Sequence, residues 1–371
     1  MREIVIVGHG IAGLTAKDTL RRQGFDGHIT IIGNDLHPPY SRPALSKAAL
    51  SPTMDLSDTT LPPSSSLATQ ISETVVGLNT DSQFVTVASG DQYFYDGLVI
   101  ANGTHARRFT DHEEEYTLRT RDDAQKLRAR LQEQPAIIVV GGGPLGMEIA
   151  SGATSLGCDV TLVHQGLPMC AQVGPVIAGF LAQKAVENGV KIVDALASSV
   201  TRSSAEQFTV ELDNGREIYA PVVASAIGDS PNIQWLQDSD LLTDGKLVTD
   251  SRGRVTDNIV AAGDIACFNG IRTPIWTSAI EQAKTAAGGL LLGNEAPELS
   301  FQSYFWTDQF GVNVKVSGPI PHNGTPHIIE GSLESGSALL HWSESNSAAS
   351  INYRIPVPRL HKLAKSLAPT A

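Results

Sequence analysis

Ile4-Val5-Ile6-Val7-Gly8-His9-Gly10-Ile11-Ala12-Gly13-Leu14 and, 133 residues later, Ile137-Ile138-Val139-Val140-Gly141-Gly142-Gly143-Pro144-Leu145-Gly146-Met147 align without a gap. Each is an apolar run of strand length, then G-x-G-x-x-G, then a helix-compatible stretch. In that setting the first glycine (Gly8, Gly141) makes the tight strand-to-helix turn and the second (Gly10, Gly143) lets a pyrophosphate approach the backbone. The third (Gly13, Gly146) allows close helix packing, and the helix N-terminus adds partial positive charge. The spacing predicts helices over Leu14 to Arg22 and Met147 to Leu156, ended by Gly24 and Gly157, and second strands over His28 to Ile32 and Asp159 to Val163. Two right-handed parallel β-α-β units in one chain give an α/β fold with two Rossmann-like dinucleotide-binding domains.

Outward from these units the texture changes. Ser51 to Ser66 is rich in Ser, Thr and Pro and reads as a loop. Strands are expected between Val75 and Ile100, a helix over Asp122 to Leu131, and a hairpin where Phe208 to Leu212 runs into Asp213-Asn214-Gly215. Val248 to Ala262 returns to strand character, and Trp276 to Leu292 reads as a long alanine-rich helix. Residues 297–371, with short strands and Gly/Pro turns, read as a C-terminal α+β domain.

Composition excludes several classes of function. The 371 residues carry 39 acidic and 27 basic side chains, a net charge of -12, which argues against nucleic acid or an anionic membrane as the main partner. No apolar run approaches the roughly 18 residues of a membrane span, and the N-terminus enters a strand without the features of a signal peptide. Cys158, Cys170 and Cys267 form no C-x-x-C and no zinc spacing, so no metal site is expected, and a reducing, cytoplasmic setting is.

Three further positions bear on chemistry. Asp35 follows Gly13 by 22 residues, at the end of the second strand, where a carboxylate accepts hydrogen bonds from a ribose; a surface turn is the plainer alternative. The corresponding place in the second unit holds His164-Gln165, with neither the acid that favours NAD nor an arginine that clamps the NADP 2′-phosphate. The residues leave the 2′ preference open, and a solvent-facing histidine is an equal reading. Finally, Ile259-Val260-Ala261-Ala262-Gly263-Asp264 is a strand ending in Gly-Asp, which brings a carboxylate where backbone can approach a polyol such as a ribityl chain.

The order of G-x-G-x-x-G, a second G-x-G-x-x-G and Ala-Ala-Gly-Asp resembles the glutathione-reductase-like flavoproteins, in which FAD occupies the first fold and NADH or NADPH the second. More narrowly, Pro39-Tyr40-Ser41-Arg42-Pro43-Ala44-Leu45-Ser46-Lys47 is similar to the R-P-P-L-S-K segment of the putidaredoxin-reductase-like ferredoxin reductases of bacterial P450 and ring-hydroxylating dioxygenase systems. The likeness continues through Tyr95 to Gly103, Leu118-Arg119-Thr120, Trp276 to Ala283 and Phe305-Trp306-Thr307-Asp308-Gln309. It implies an FAD-binding domain from residues 1–108 and 229–296, an NAD(P)H-binding domain from 109–228, and the C-terminal domain from 297–371. It also implies that Lys47 lies by the reactive edge of the isoalloxazine with Glu148 as counter-ion, and that Trp306 shields the ring, with Asp308 and Gln309 nearby. Arg42 then contacts the phosphate or adenosine half of FAD, and Asp264 the ribityl hydroxyls. Departures from the family pattern are Pro144 inside the second glycine motif, Asn102 for the usual threonine of Ala-Thr-Gly, and His164.

The activity so implied is passage of electrons from NAD(P)H through FAD to a small ferredoxin, [2Fe–2S] or other, that serves a P450 or another oxygenase. Position and field are the protein's contribution, with no side chain needed as general acid or base. No cysteine lies near Arg42 to Lys47, which argues against disulfide reduction. The alternatives are a flavoprotein acting directly on a small molecule and a redox sensor resembling apoptosis-inducing factor. Residues 297–371 hold five basic and five acidic side chains, and Arg354, Arg359, Lys362 and Lys365 all follow the last acid, Glu344. That basic cluster suits an acidic ferredoxin, while a solvated terminal helix is the plainer reading.

Overall fold

The computed structural model describes residues 1–50, 54–64, 67–204, 207–319 and 324–366, so the loop expected over Ser51 to Ser66 and the end of the C-terminal segment lie partly outside the described residues. The chain forms two compact units, each drawn from three separate segments.

The first unit comprises Met1–Ser41, Thr60–His105 and Ser230–Phe301. Its sheet of five parallel strands runs Ile259–Ala261, Gly97–Ile100, β1 (Glu3–Val7), β2 (His28–Ile32) and Thr69–Ile71. The unbroken Ile-Val-Ile-Val run of β1 makes sense here because both faces of the sheet are covered. Ile4 and Ile6 pack with Ile29, Ile31 and Val99 under α1 (Ile11–Arg22) and the Trp276–Leu292 helix. Val5 and Val7 turn the other way into a core with Val85, Val87, Tyr95 and Trp235. Each such fully buried aliphatic side chain contributes about 1.5–3 kcal/mol. Since every strand is parallel, all their C-terminal ends lie on the edge that carries the glycine turn.

The second unit comprises Arg42–Thr59, Ala106–Asp229 and Gln302–Ala371. It repeats the plan with β3 (Ala136–Val140), α2 (Pro144–Ser155), β4 (Asp159–His164), α3 (Cys170–Glu187) and β5 (Lys191–Asp194). The parallel order is β5, β4, β3, Val222–Ser225 and Glu115–Tyr116. The expected hairpin is Gln207–Leu212 paired with Glu217–Ala220, inside a three-stranded sheet. Residues 304–351 add a five-stranded antiparallel sheet that starts with β6 (Tyr304–Gln309). The short α4 (Val357–Ala364) packs on it through Leu360 and Ala364 against Leu339, Ala348 and Ile355.

Candidate active site

The first unit holds a cradle shaped for a dinucleotide. Gly8 has φ +107°, and a Cβ there would fall 2.3 Å from the Ala101 carbonyl oxygen; one on Gly13 would fall 1.9 Å from that of Gly8. Only glycine permits so tight a turn with the helix pressed against it. Gly10, the N-cap of α1, faces open space, and no side chain caps the helix. Free N–H groups and the helix dipole therefore face the room a pyrophosphate needs.

Three more groups sit at this edge. Asp35 lies just past β2, half-buried, its carboxylate accepting from the Tyr40 hydroxyl at 2.6 Å and the His37 N–H at 3.1 Å. A carboxylate at this edge is the acceptor that ribose hydroxyls would need. Gly263 follows the Ile259–Ala261 strand with φ +82°, and its N–H donates to the fully buried Gln282 side chain at 2.9 Å. Asp264 comes next, half-buried, with its carbonyl accepting from Arg272 Nε at 2.5 Å. At the end of the neighbouring strand Asn102 and Asn232 exchange side-chain-to-carbonyl hydrogen bonds of 2.9 Å each. Asn102 thus works as a clamp between chain segments.

The second unit repeats the cradle almost to the degree. Gly141 has φ +108° with its would-be Cβ 2.3 Å from the Ala226 carbonyl oxygen, and that of Gly146 would lie 1.8 Å from Gly141's. Gly143 faces open space as the N-cap of α2, and Pro144 takes the first helical position, where its missing N–H and fixed φ cost nothing. His164 ends β4 with its ring against the glycine turn, since a Cβ on Gly142 would fall 2.5 Å from its Cγ. Burial holds the His164 pKa below the ordinary value, with the Asp194 carboxylate opposing that shift.

The second unit also gathers Lys47, Glu148 and Trp306. Leu50 packs against Gly152 of α2 and seats the 42–50 segment beside that helix. Lys47 Nζ lies 2.9 Å from Glu148 Oε1, with side chains only 14% and 4% exposed, and also donates to the Pro43 carbonyl at 3.2 Å. The same ammonium stands 5.7 Å from the centre of the Trp306 ring. Tyr304 stacks on Trp306 at 5.8 Å, and His361 of α4 meets Tyr304 edge-on. Glu148 accepts further from Ser46 Oγ, and from Thr307 Oγ1 at 2.6 Å, which in turn accepts from Gln309 Nε2 at 3.0 Å. One buried carboxylate is thus met by an ammonium and two hydroxyl donors, the pairing that a buried ionisable group requires.

Local structure explains how β6 reaches that carboxylate. Its alternation puts Thr307 and Gln309 on the buried face, while Asp308 points outward to Asn313 Nδ2 at 2.5 Å. Past Gln309 the chain turns through Phe310 (φ +51°) and Gly311 (φ +71°), a two-residue hairpin of the primed type. The Phe310 N–H donates to Ser151 Oγ at 2.7 Å, one helical turn from Glu148, so β6 is pinned to α2 at two points. Arg42 belongs to the same unit, where its guanidinium donates to the Arg119 carbonyl at 2.6 Å. Ser46, Thr307 and Gln282 stand inside quoted segments but carried no sequence signal of their own; alternation along Tyr304–Gln309 was the one available hint.

Residues 2–288 match the family model described as pyridine nucleotide-disulphide oxidoreductase. The chain belongs to this family. It is 33% identical, over 97% of its length and 95% of the relative's, to the 3-phenylpropionate/cinnamic acid dioxygenase ferredoxin–NAD(+) reductase component of Photorhabdus laumondii subsp. laumondii. The benzene 1,2-dioxygenase system ferredoxin–NAD(+) reductase subunit of Pseudomonas putida is 30% identical, with 91% and 85% of the two chains covered. Among solved structures, the ferredoxin reductase for the CYP199A2 system from Rhodopseudomonas palustris superposes with a TM-score of 0.86 at 25% identity, covering 95% of this chain and 92% of that one. The covalent putidaredoxin reductase–putidaredoxin complex gives 0.86 at 25% identity, covering 97% and 91%. This oxidoreductase therefore has the two-dinucleotide fold of an enzyme that binds FAD and takes electrons from NADH. The two cradles fit those groups, because each has a turn closed to any side chain beside an N-cap that opens on free space. Among the described residues no cluster of His, Cys, Asp or Glu could hold a metal, and no helix is long and apolar enough to cross a membrane.

Proposed function

We propose that this oxidoreductase passes electrons from NADH through FAD to a small iron–sulfur ferredoxin of an oxygenase system, in a cytoplasmic setting where thiols such as Cys158 and Cys267 stay reduced. The observation that carries this reading is similarity over nearly the whole chain to ferredoxin–NAD(+) reductase components. FAD is held by the domain of residues 1–108 and 229–296, through Gly8, Gly10, Gly13, Asp35, Gly263 and Asp264, with Arg42 on its phosphate or adenosine half. Gly141, Gly143, Gly146 and His164 of the 109–228 domain hold NADH, and residues 297–371 form the C-terminal domain.

When bound, FAD supplies the change from two-electron to one-electron transfer. The chain's own residues position it and set the field. Lys47 offers a positive charge that favours negative charge on the reduced ring, and Glu148, held by Ser46 and Thr307, fixes its position. Trp306 excludes water, and Tyr304 behind it limits its freedom. On the surface, Arg354, Arg359, Lys362 and Lys365 are exposed along and beside α4 and face an acidic ferredoxin.

The test is an anaerobic titration of the FAD-loaded protein with NADH, followed by addition of a bacterial [2Fe–2S] ferredoxin. Bleaching of the flavin and reduction of the ferredoxin are expected; no bleaching, or electrons passing only to small molecules, overturns the reading. Lys362→Glu with Lys365→Glu should raise the ferredoxin KM about tenfold at low salt, and an unchanged KM removes α4 as the docking site.

A further inference from the structure

The second cradle lacks, on its ribose strand, the carboxylate that Asp35 gives the first. β4 ends at His164, and from Gln165 through Gln183 there is neither an acidic nor a basic side chain. A charge reaches this place from the next strand. β5 pairs with β4 in a register that sets Asp194 beside His164, and Asp194 Oδ1 accepts from the Gly166 N–H at 2.7 Å. The loop after β4 is tied back a second time by the Met169 N–H, which donates to the Gly142 carbonyl at 2.8 Å. One carboxylate is thus fastened to the loop that any adenosine ribose in this cradle must meet.

We propose that Asp194 is the residue that discriminates between the coenzymes: its carboxylate, supplied from β5 instead of β4, repels a 2′-phosphate and makes the site selective for NADH. A 2′-phosphate brings close to two negative charges. The loop offers no cation to meet them, and His164, kept neutral by burial, adds none at neutral pH. Because Asp194 is exposed, the repulsion is that of charges several ångströms apart in a mostly aqueous medium, about tenfold in affinity at low salt.

This inference rests on the assignment of the second cradle to NADH, and its test separates the two. Calorimetry on the FAD-loaded protein compares ADP-ribose with 2′-phospho-ADP-ribose. The wild type should bind the former at least about tenfold more tightly, with the ratio shrinking as salt rises. Asp194→Asn, which keeps an acceptor for Gly166 and loses the charge, should narrow the ratio about tenfold and make it insensitive to salt. Asp194→Ala should narrow it equally. A wild-type preference for the 2′-phosphorylated ligand, a ratio unmoved by Asp194→Asn, or one moved by Asp194→Ala alone overturns the proposal, the last by showing that the loop and not the charge decides. If the ligand ratio behaves as expected but NADH does not bleach the flavin, the discrimination stands and the ferredoxin reductase reading falls.

Discussion

Replacing Thr307 by valine preserves the shape of a fully buried side chain and deletes its hydroxyl. Glu148 then loses the 2.6 Å donor on Oε1, and the Gln309 amide loses the acceptor it holds at 3.0 Å. A hydrogen bond to a buried charge is worth about 1.5–3 kcal/mol, and stranding a buried amide costs about 1–3 kcal/mol. Lys47 and Ser46 still hold the carboxylate, which argues for the lower half of that range, about 3 kcal/mol in total. Urea unfolding of the FAD-loaded protein, followed by circular dichroism, reads this as a lowered midpoint at an unchanged slope. The double variant Thr307→Val with Gln309→Leu removes both ends of one contact, so its loss should fall short of the sum of the single losses by about 1 kcal/mol. A cost below about 0.5 kcal/mol for Thr307→Val, or strict additivity in the double variant, refutes the account of Thr307 as the hinge of this network.

Two further outcomes follow from the same geometry. Gly13→Ala and Gly146→Ala each drive a methyl group into the carbonyl of the preceding turn, so the first should yield protein without FAD and the second yellow protein that NADH fails to bleach; normal bleaching of Gly146→Ala contradicts the cradle assignment. Burial holds the pKa values of His164, His341 and His361 below the ordinary value, with His327 opposite His341 adding to the effect there. Each binds its proton more weakly folded than unfolded, so the associated stability is complete above about pH 6.5 and drains away as the pH falls through the depressed values. The urea midpoint should therefore drop between pH 7.5 and 5.5, and drop less in His341→Leu; an equal drop in both proteins removes His341 from the account.

What could be read from sequence follows from the range of the interactions involved. β2 and the Trp276–Leu292 helix lie where periodicity put them, and both helices after the glycine turns are present. Those helices begin at Ile11 and Pro144, three residues earlier than expected, because Gly10 and Gly143 are N-caps and the third glycine already lies in the first turn. By contrast, the setting of Glu148 depends on Ser46 and Thr307, 102 and 159 residues away, and no local pattern encodes such pairs. Asp194 is silent for a related reason: only the β4–β5 register brings it beside His164. Asp308, grouped with Gln309 by resemblance, is separated from it by strand alternation.

The three-segment make-up of the first unit bears on how the chain is born. Its N-terminal strands need Val260, Ala262 and the Trp276–Leu292 helix to cover the face that holds Ile4, Ile6, Ile29 and Val99. At about 5–20 residues per second, a ribosome takes about 10–40 s to travel from Ile100 to Leu292, and through that interval the apolar face stays open. The parallel sheet of the second unit, by contrast, lies wholly between Glu115 and Ser225 and is complete as soon as that stretch emerges. The cradle encoded second is thus the first whose sheet is complete, while the N-terminal strands lack their covering helix until Leu292 has been made.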